Sequence, residues 1–182
     1  MRKFTAWISI FLLGILSAAL LLVAMGFRIN LTDSIPIGVY RMTGINNLKN
    51  AFVIFCPEDK PDFQQARDRG YIDSGLCPGG YGYLMKKVVA IKGDKISVTD
   101  EGVFVNHQRI PFSKSVLKDG LKRLLPQWRT TDYQLKEDEI LTMTSQSAWS
   151  FDSRYYGPVH TGQIKGMITP VWVKATMEKV YE

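Results

Sequence analysis

Three groups of residues along this chain carry side chains that could perform hydrolytic chemistry together. Ser34 lies in the stretch TDSIPIGVY, Lys86 and Lys87 lie in the apolar stretch YLMKKVVAI, and Asp152 opens the triplet DSR. A serine hydroxyl is a weak nucleophile until a base removes its proton, and a buried lysine amine can be that base. Taken alone, TDSIPIGVY equally fits a turn that follows an apolar segment.

The two lysines lie in a segment with the composition of a β-strand. Because side chains alternate between the faces of a strand, Lys86 and Lys87 must point in opposite directions. Whichever face is buried, one lysine lies among apolar neighbours, and burial lowers the pKa of an ammonium group. Alternation does not choose between them, and this segment taken alone favours an edge strand whose lysines reach water.

Other catalytic chemistries have weaker support in the sequence. His107 and His160 are the two histidines, and both lie beside turn-forming residues, which favours surface positions over a Ser-His-Asp triad. No zinc-protease, P-loop or dinucleotide-binding pattern is present, and two cysteines without clustered histidines make a poor metal site. We therefore expect neither a metal nor another cofactor.

The elements that must position these residues begin with an N-terminal membrane anchor. Residues 4–27 are uncharged and follow Met1-Arg2-Lys3, and about 20 apolar residues suffice for a helix to cross a bilayer. The basic start predicts that the N-terminus stays in the cytoplasm and that the chain after Arg28 lies outside it. A cleaved signal peptide is the alternative, although its apolar core is usually about 7–15 residues long. The sequence predicts an anchor over residues 1–28.

The charge and the cysteines agree with a location at the outer face of a membrane. The net charge of +6 is scattered, without a dense basic block or a nucleic-acid motif, so we expect no nucleic-acid partner. A generally solvated surface is the favoured interpretation of this charge, with a weak attraction to anionic lipid headgroups of the inner membrane as the alternative. Cys56 and Cys77 each precede a proline and do not form a CxxC motif. In an oxidising compartment a disulfide between them is expected, with two free thiols as the alternative.

Residues 29–182 are predicted to form a mainly β domain. Strand patterns occur in residues 51–56, 139–151 and 162–175, and two hairpins are predicted over 83–99 and 102–111. The second hairpin would turn at Asn106-His107, a pair that favours positive φ. Residues 57–82 are rich in Pro, Gly and charge, which predicts an irregular insertion closed by the two cysteines, with one short candidate helix around Gln64–Arg69. Residues 112–137 are polar and are predicted to be peripheral.

Four segments in this order resemble the type I signal peptidases, the S26 family of serine–lysine membrane proteases. They are TDSIPIGVYR, YLMKKVVAIKGDKI, GVFVNHQRIP and SFDSRYYGPV. The first two, with the CP…CPGG insertion, resemble the conjugative-transfer branch of TraF-type pilin peptidases. The chain departs from general signal peptidases at Ile35, where they carry methionine, and at TSQS (144–147), where they carry GDNR. The resemblance extends from about the anchor to Gly166.

The resemblance implies a role for each matching residue. Ser34 matches the nucleophile, and Lys86, eight residues before the aspartate of KGD, matches the general base. The other matching positions are Thr32 for a hydroxyl that holds the oxyanion, Ser150 for a serine that hydrogen-bonds the lysine, and Asp152 and Arg154 for the DSR element. In the conjugative branch the aspartate of DSR is regarded as catalytic.

The resemblance therefore implies a signal-peptidase-like β catalytic domain on the periplasmic side of a bacterial inner membrane. The expected function is processing of a membrane-anchored pilin precursor for conjugative transfer, by cleavage or by cleavage coupled to cyclisation. Partners would be the pilin or another preprotein, and components of pilus assembly. A general signal peptidase for exported proteins is the second interpretation, and a non-catalytic envelope scaffold is the third.

Overall fold

The computed structural model describes residues 2–144 and 146–174. Met1 of the predicted anchor, position 145 of TSQS and residues 175–182 of the predicted domain lie outside this part of the chain. Over the described residues the helices are α1 (Arg2–Ala24), α2 (Pro61–Asp68) and α3 (Ser153–Tyr156). The strands there, in chain order, are β1 (Phe27–Asn30), β2 (Gly38–Thr43), β3 (Phe52–Phe55), β4 (Ser74–Cys77), β5 (Leu84–Ala90), β6 (Lys95–Thr99), β7 (Gly102–Val105), β8 (Gln108–Arg109), β9 (Thr130–Gln134), β10 (Glu139–Met143), β11 (Val159–His160) and β12 (Ile164–Val173).

Two antiparallel sheets make up most of the domain that follows α1. The larger has the strand order β1-β2-β12-β3-β5-β10-β11, and the smaller has the order β8-β7-β6-β9. One core cluster packs on the large sheet and consists of Val53, Phe55, Val88, Ile140, Val159 and Ile164. The prediction of a mainly β domain after one N-terminal helix is confirmed. The observed strand order places β5, which carries both lysines, between β3 and β10 in the large sheet.

The connection between β5 and β6 differs from the prediction. We predicted a hairpin over residues 83–99, and this is wrong because β5 and β6 belong to different sheets. The Asp94 carboxylate instead accepts hydrogen bonds from the Ile91 N–H at 3.0 Å and from Asn106 Nδ2 at 2.8 Å. Asp94 thus joins the end of β5 to the turn between β7 and β8, which is the predicted second hairpin. That turn has the predicted positive φ at Asn106 (49°) and His107 (67°).

Helix α1 leads almost directly into the large sheet. Within the described residues, its segment Phe4–Ala24 is the one stretch long and apolar enough to cross a membrane, and it is not buried against the domain. This is compatible with a single-pass anchor or a signal sequence. The Met42 N–H of β2 donates a hydrogen bond to the Gly26 carbonyl at 2.9 Å, and Arg28 donates one to the Val23 carbonyl at 2.9 Å. These bonds tie the end of α1 to the first two strands.

Residues 57–82 contain α2, which overlaps the short helix predicted around Gln64–Arg69 and begins three residues earlier. They also contain β4 and a short 3₁₀ turn at Pro78–Gly80, which were not predicted. The fixed φ of Pro61 suits the first turn of α2. Cys56 and Cys77 form the predicted disulfide, which is confirmed. We call the buried group around it the disulfide cluster: Cys56, Phe63, Ala66, Ile72, Cys77, Tyr81, Phe151 and Tyr155. Residues 112–137, predicted to be peripheral, supply β9 to the small sheet.

Candidate active site

Ser34 lies in the loop between β1 and β2, residues 31–37, which we call the Ser34 loop. Ile35, the residue after Ser34, fixes this loop, because its side chain is 1% exposed and packs with Tyr40, Ile54 and Ile168. The Tyr40 hydroxyl also donates a hydrogen bond to the Pro36 carbonyl at 2.6 Å. Ser34 itself is half-buried. It is therefore a turn residue whose hydroxyl has defined neighbours.

Lys86 is the closest charged neighbour of the Ser34 hydroxyl. It lies opposite Val53 in the β3–β5 pairing and is only 3% exposed. Its Nζ donates hydrogen bonds to Ser34 Oγ at 2.7 Å and to Ser150 Oγ at 2.6 Å. The two serine oxygens are 3.3 Å apart, so the three side chains form a triangle of hydrogen bonds. Lys87, on the other face of β5, is half-buried.

Burial changes the protonation of Lys86. Its pKa is lowered from 10.5 to about 8, because the loss of solvation and, to a smaller extent, the positive charge of Arg154 outweigh the negative charge of Asp152, which raises it. Desolvation is the largest of these causes. A lysine with a pKa near 8 holds a useful fraction of free amine close to neutral pH, whereas an exposed lysine does not. The site can therefore supply a base within hydrogen-bonding distance of a hydroxyl.

Asp152 and Arg154 form a fully buried ion pair beneath this triangle. Arg154 Nε and Nη2 each bind one carboxylate oxygen of Asp152 at 2.8 Å, and both side chains are 0% exposed. Asp152 also caps α3 by accepting a hydrogen bond from the Arg154 N–H. Among the described residues, its remaining hydrogen-bond donor is the Thr144 N–H at 3.4 Å. Asp152 thus influences Lys86 through its charge and not through a hydrogen bond.

Arg154 reaches further than its partner carboxylate. Its Nη1 donates to the carbonyls of Phe112, Lys114 and Ala148, and its Nη2 donates to the carbonyl of Ser147. These carbonyls come from two separate segments, 112–114 and 147–148. A single buried guanidinium therefore holds both segments against the start of α3.

Ser150 is positioned by its neighbour in the chain. Phe151 stacks on Tyr155 with the ring centroids 5.6 Å apart and belongs to the disulfide cluster. The residue before it, Ser150, is 8% exposed and touches both Lys86 and Ser34. The structure thus contains the serine–lysine hydrogen bond that the resemblance implied.

Thr32 makes a contact that the sequence did not predict. It is exposed, and its hydroxyl donates a hydrogen bond to Asn30 Oδ1 at 2.9 Å. Asn30 is 4% exposed and was not among the predicted site residues. Its only sequence signal is a polar side chain close to an apolar segment and four residues before Ser34, which is too general to identify a role.

A cleft of about 500 Å³ opens over the Lys86–Ser34 contact. Four segments line it: residues 29–34, 70–73, 83–86 and, except for Ala148, 147–151. Its walls thus come from the Ser34 loop, the disulfide-stapled insertion, β5 and the segment before α3. The two histidines lie elsewhere, His107 in the β7–β8 turn and His160 beside Asp138.

A comparison with known protein families shows the family to which the chain belongs. The family described as "Signal peptidase, peptidase S26" matches residues 2–173. The chain belongs to the S26 signal peptidase family. The resemblance found in the sequence is therefore confirmed for the family, and the match runs from α1 through β12.

This S26 peptidase is similar in sequence to proteins of plasmid and conjugal transfer. It is 46% identical over 158 residues to the plasmid transfer protein TraF of Escherichia coli, covering 85% of this chain and 89% of the relative. It is 36% identical over 154 residues to the probable conjugal transfer protein TraF of Sinorhizobium fredii, covering 80% and 77%. Among solved structures, signal peptidase I of Enterococcus faecalis V583 is similar, with 16% identity, a TM-score of 0.38 and coverage of 70% of this chain and 100% of that one.

Proposed function

We propose that this S26 peptidase is a membrane-anchored serine endopeptidase that processes a pilin precursor for conjugative transfer. The observation that carries the proposal is the contact between buried Lys86 Nζ and Ser34 Oγ at 2.7 Å. The transfer context is supported by the relatives named plasmid transfer protein TraF and conjugal transfer protein TraF. In that transfer context we assign a pilin precursor to the cleft as its substrate.

The first chemical step uses the free amine of Lys86. It removes the proton of the Ser34 hydroxyl while Ser34 Oγ attacks the scissile carbonyl carbon. The resulting ammonium gives that proton to the amide nitrogen as the carbon–nitrogen bond breaks, which leaves an ester on Ser34. With a pKa of about 8, about one tenth of Lys86 is free amine at pH 7, against about three parts in ten thousand at the ordinary value of 10.5.

The neighbouring side chains support this step in different ways. Ser150 holds the lysine nitrogen in line with Ser34. The Ser34 N–H and the Thr32 hydroxyl are the proposed donors to the oxyanion, and the hydroxyl must turn away from Asn30 to reach it. The ion pair of Asp152 and Arg154 acts through Lys86, so we assign both to positioning and electrostatic roles instead of direct catalysis.

The anchor fixes where this chemistry takes place. Ser34 lies seven residues after Phe27, which is a span of at most about 25 Å. We propose a single span with the β domain on the periplasmic side of the inner membrane, because Arg2 and Lys3 precede the span and the disulfide suits an oxidising compartment. Substrates anchored in the same bilayer then meet the cleft close to the membrane surface.

The ester on Ser34 can be resolved in two ways. Attack by water, with Lys86 again as the base, releases a shortened linear pilin. Attack by an amine of the same pilin releases a cyclic product, whose mass is lower than that of the linear product by one water. In both routes Lys86 takes a proton from the attacking water or amine and passes it to Ser34 Oγ as the ester bond breaks, which regenerates the Ser34 hydroxyl and the free amine of Lys86.

The proposal is tested by the mass of the pilin in cells that carry wild type, Ser34→Ala, Lys86→Ala or Lys87→Ala. We expect shortened pilin with wild type and Lys87→Ala, and precursor with the other two. Combining Ser34→Ala with Lys86→Ala adds little, because the two act as a unit. Equal processing in all four strains would contradict pilin processing by Ser34 and Lys86, and the same strains would then be tested for cleavage of exported preproteins.

A further inference from the structure

Asn30 is a buried polar residue at the edge of the cleft that the proposed chemistry does not use. It is the last residue of β1 and lies opposite Gly38 in the β1–β2 pairing. Its carboxamide lies beneath the Ser34 loop and not in the sheet interior, because its hydrogen bonds go to that loop. Burial of a carboxamide is costly unless each polar atom has a partner, so its contacts are informative.

The amide nitrogen of Asn30 binds backbone on both sides of Ser34. Nδ2 donates to the carbonyls of Thr32 at 2.8 Å, Ile35 at 2.8 Å and Pro36 at 3.2 Å. The first of these carbonyls comes before Ser34 and the other two come after it. One side chain therefore holds together the two arms of the loop that presents the serine.

The amide oxygen of Asn30 binds the residue assigned to the oxyanion. Oδ1 accepts hydrogen bonds from the Thr32 N–H at 3.2 Å and from the Thr32 hydroxyl at 2.9 Å. Among short side chains, only asparagine combines two N–H donors with an acceptor oxygen at this reach. Aspartate lacks the donors, and serine is too short to bind both arms.

We propose that Asn30 is the positioning residue of the Ser34 loop, which fixes the backbone on either side of Ser34 so that Ser34 Oγ stays in contact with Lys86. The inference rests on the proposed function for its catalytic meaning, but its geometry can be tested without a substrate. Without the Asn30 side chain, the carbonyls of residues 32, 35 and 36 lose a hydrogen-bond donor, and the N–H and hydroxyl of Thr32 lose an acceptor. The loop then samples conformations in which the serine no longer faces the lysine.

The test replaces Ser34 by a reactive group that reports its distance from Lys86. Cys56 and Cys77 are joined in a disulfide, so Ser34→Cys introduces the free thiol of the chain, and a cation nearby lowers the pKa of a thiol. The rate of alkylation by iodoacetamide is measured against pH on the full-length protein in detergent. The midpoint of that profile is the thiol pKa, which depends on position and not merely on access.

We expect Asn30→Ala and Asn30→Ser, each combined with Ser34→Cys, to raise this midpoint by about one pH unit or more, since the thiol loses its cationic neighbour. Asn106→Ala is the matched control, because Asn106 also makes side-chain hydrogen bonds, to Asp94 and Lys95, but lies outside the cleft. It should leave the midpoint unchanged. Asn30→Ser guards against a failure of the alanine variant to fold.

A second measurement links the geometry to turnover. In the Ser34 background, Asn30→Ser should lower kcat for a purified pilin precursor at least about tenfold with little change in KM, since a displaced nucleophile affects the chemical step. A thiol midpoint that is the same with and without Asn30 would overturn the inference, whatever the wild type does with pilin. Absence of pilin cleavage by wild type, together with a shifted midpoint, would instead overturn the proposed substrate and leave the role of Asn30 supported.

Discussion

Lys86→Met should make the protein inactive and, at neutral pH, more stable. The folded state holds the pKa of Lys86 at about 8, against 10.5 for a free lysine side chain, because burial removes its hydration. One pKa unit corresponds to 1.36 kcal/mol, so forcing a proton onto the buried amine opposes folding by about 3 kcal/mol below pH 8. Methionine fills a similar volume and carries no charge.

The sign of the pH dependence follows from proton binding. Between about pH 8 and 10.5 the unfolded chain holds the Lys86 proton and the folded chain does not, so the stability of wild type rises with pH over this interval. Lys86→Met lacks this gain. Its stability advantage is therefore largest below pH 8 and disappears by about pH 10.5. The two hydrogen bonds that Lys86 makes to Ser34 and Ser150 are also lost, which subtracts about 1 kcal/mol each.

The assay is urea unfolding of full-length wild type and Lys86→Met in mild detergent, followed by tryptophan fluorescence from pH 6.5 to 11. Tyr40, Tyr81 and Tyr133, whose pKa values burial raises to about 12, titrate in both proteins and cancel in the difference. The quantity of interest is the change of that difference with pH. A difference that stays constant from pH 7 to 10.5 would refute a depressed pKa at Lys86 and remove the physical basis of the general-base proposal.

Four further outcomes are expected. Pilin processing by wild type should rise with pH to a plateau above about pH 8, as Lys86 loses its proton, and a flat profile would exclude a titrating base. Asp152→Asn should move the midpoint of that profile to lower pH, because the charge of Asp152 raises the pKa of Lys86; an unmoved midpoint would argue against electrostatic coupling. Replacing Cys56 and Cys77 together by serine should lower the free energy of unfolding by about 3 kcal/mol in urea titrations, and no change would mean that the staple is redundant. Lys87→Met should retain pilin processing within about twofold of wild type, because the Lys87 side chain lies on the other face of β5. A large loss would mean that Lys87, and not Lys86, is the general base.

The sequence predicted the composition of the fold better than its pairing. Apolar alternation identified the strands, and Asn106-His107 identified a real hairpin, because both signals are local. The Lys92-Gly93-Asp94 turn was misinterpreted since its residues permit a hairpin but do not choose the partner strand. The partners of β5, which are β3 and β10, lie about 30 and 50 residues away along the chain.

The candidate site was predicted to a similar degree. Alternation placed the two lysines on opposite faces of the strand, but it could not say which one was buried and did not exclude an edge strand with both in water. The family resemblance supplied the choice of Lys86. The disulfide followed from the compartment and from the presence of just two cysteines. Asn30 was missed because its contacts exist only after the Ser34 loop has folded back on β1, and no pattern in the sequence encodes that path.

Arg154 has a consequence for how sequences of this kind can diverge. The two segments it holds, 112–114 and 147–148, are bound through their backbone carbonyls and not through their side chains. Every residue type offers the same carbonyl, so the hold of Arg154 on Phe112, Lys114, Ser147 and Ala148 does not depend on the side chains at these four positions. Homologues that carry other side chains at these four positions can therefore keep the same path of the chain past the buried guanidinium.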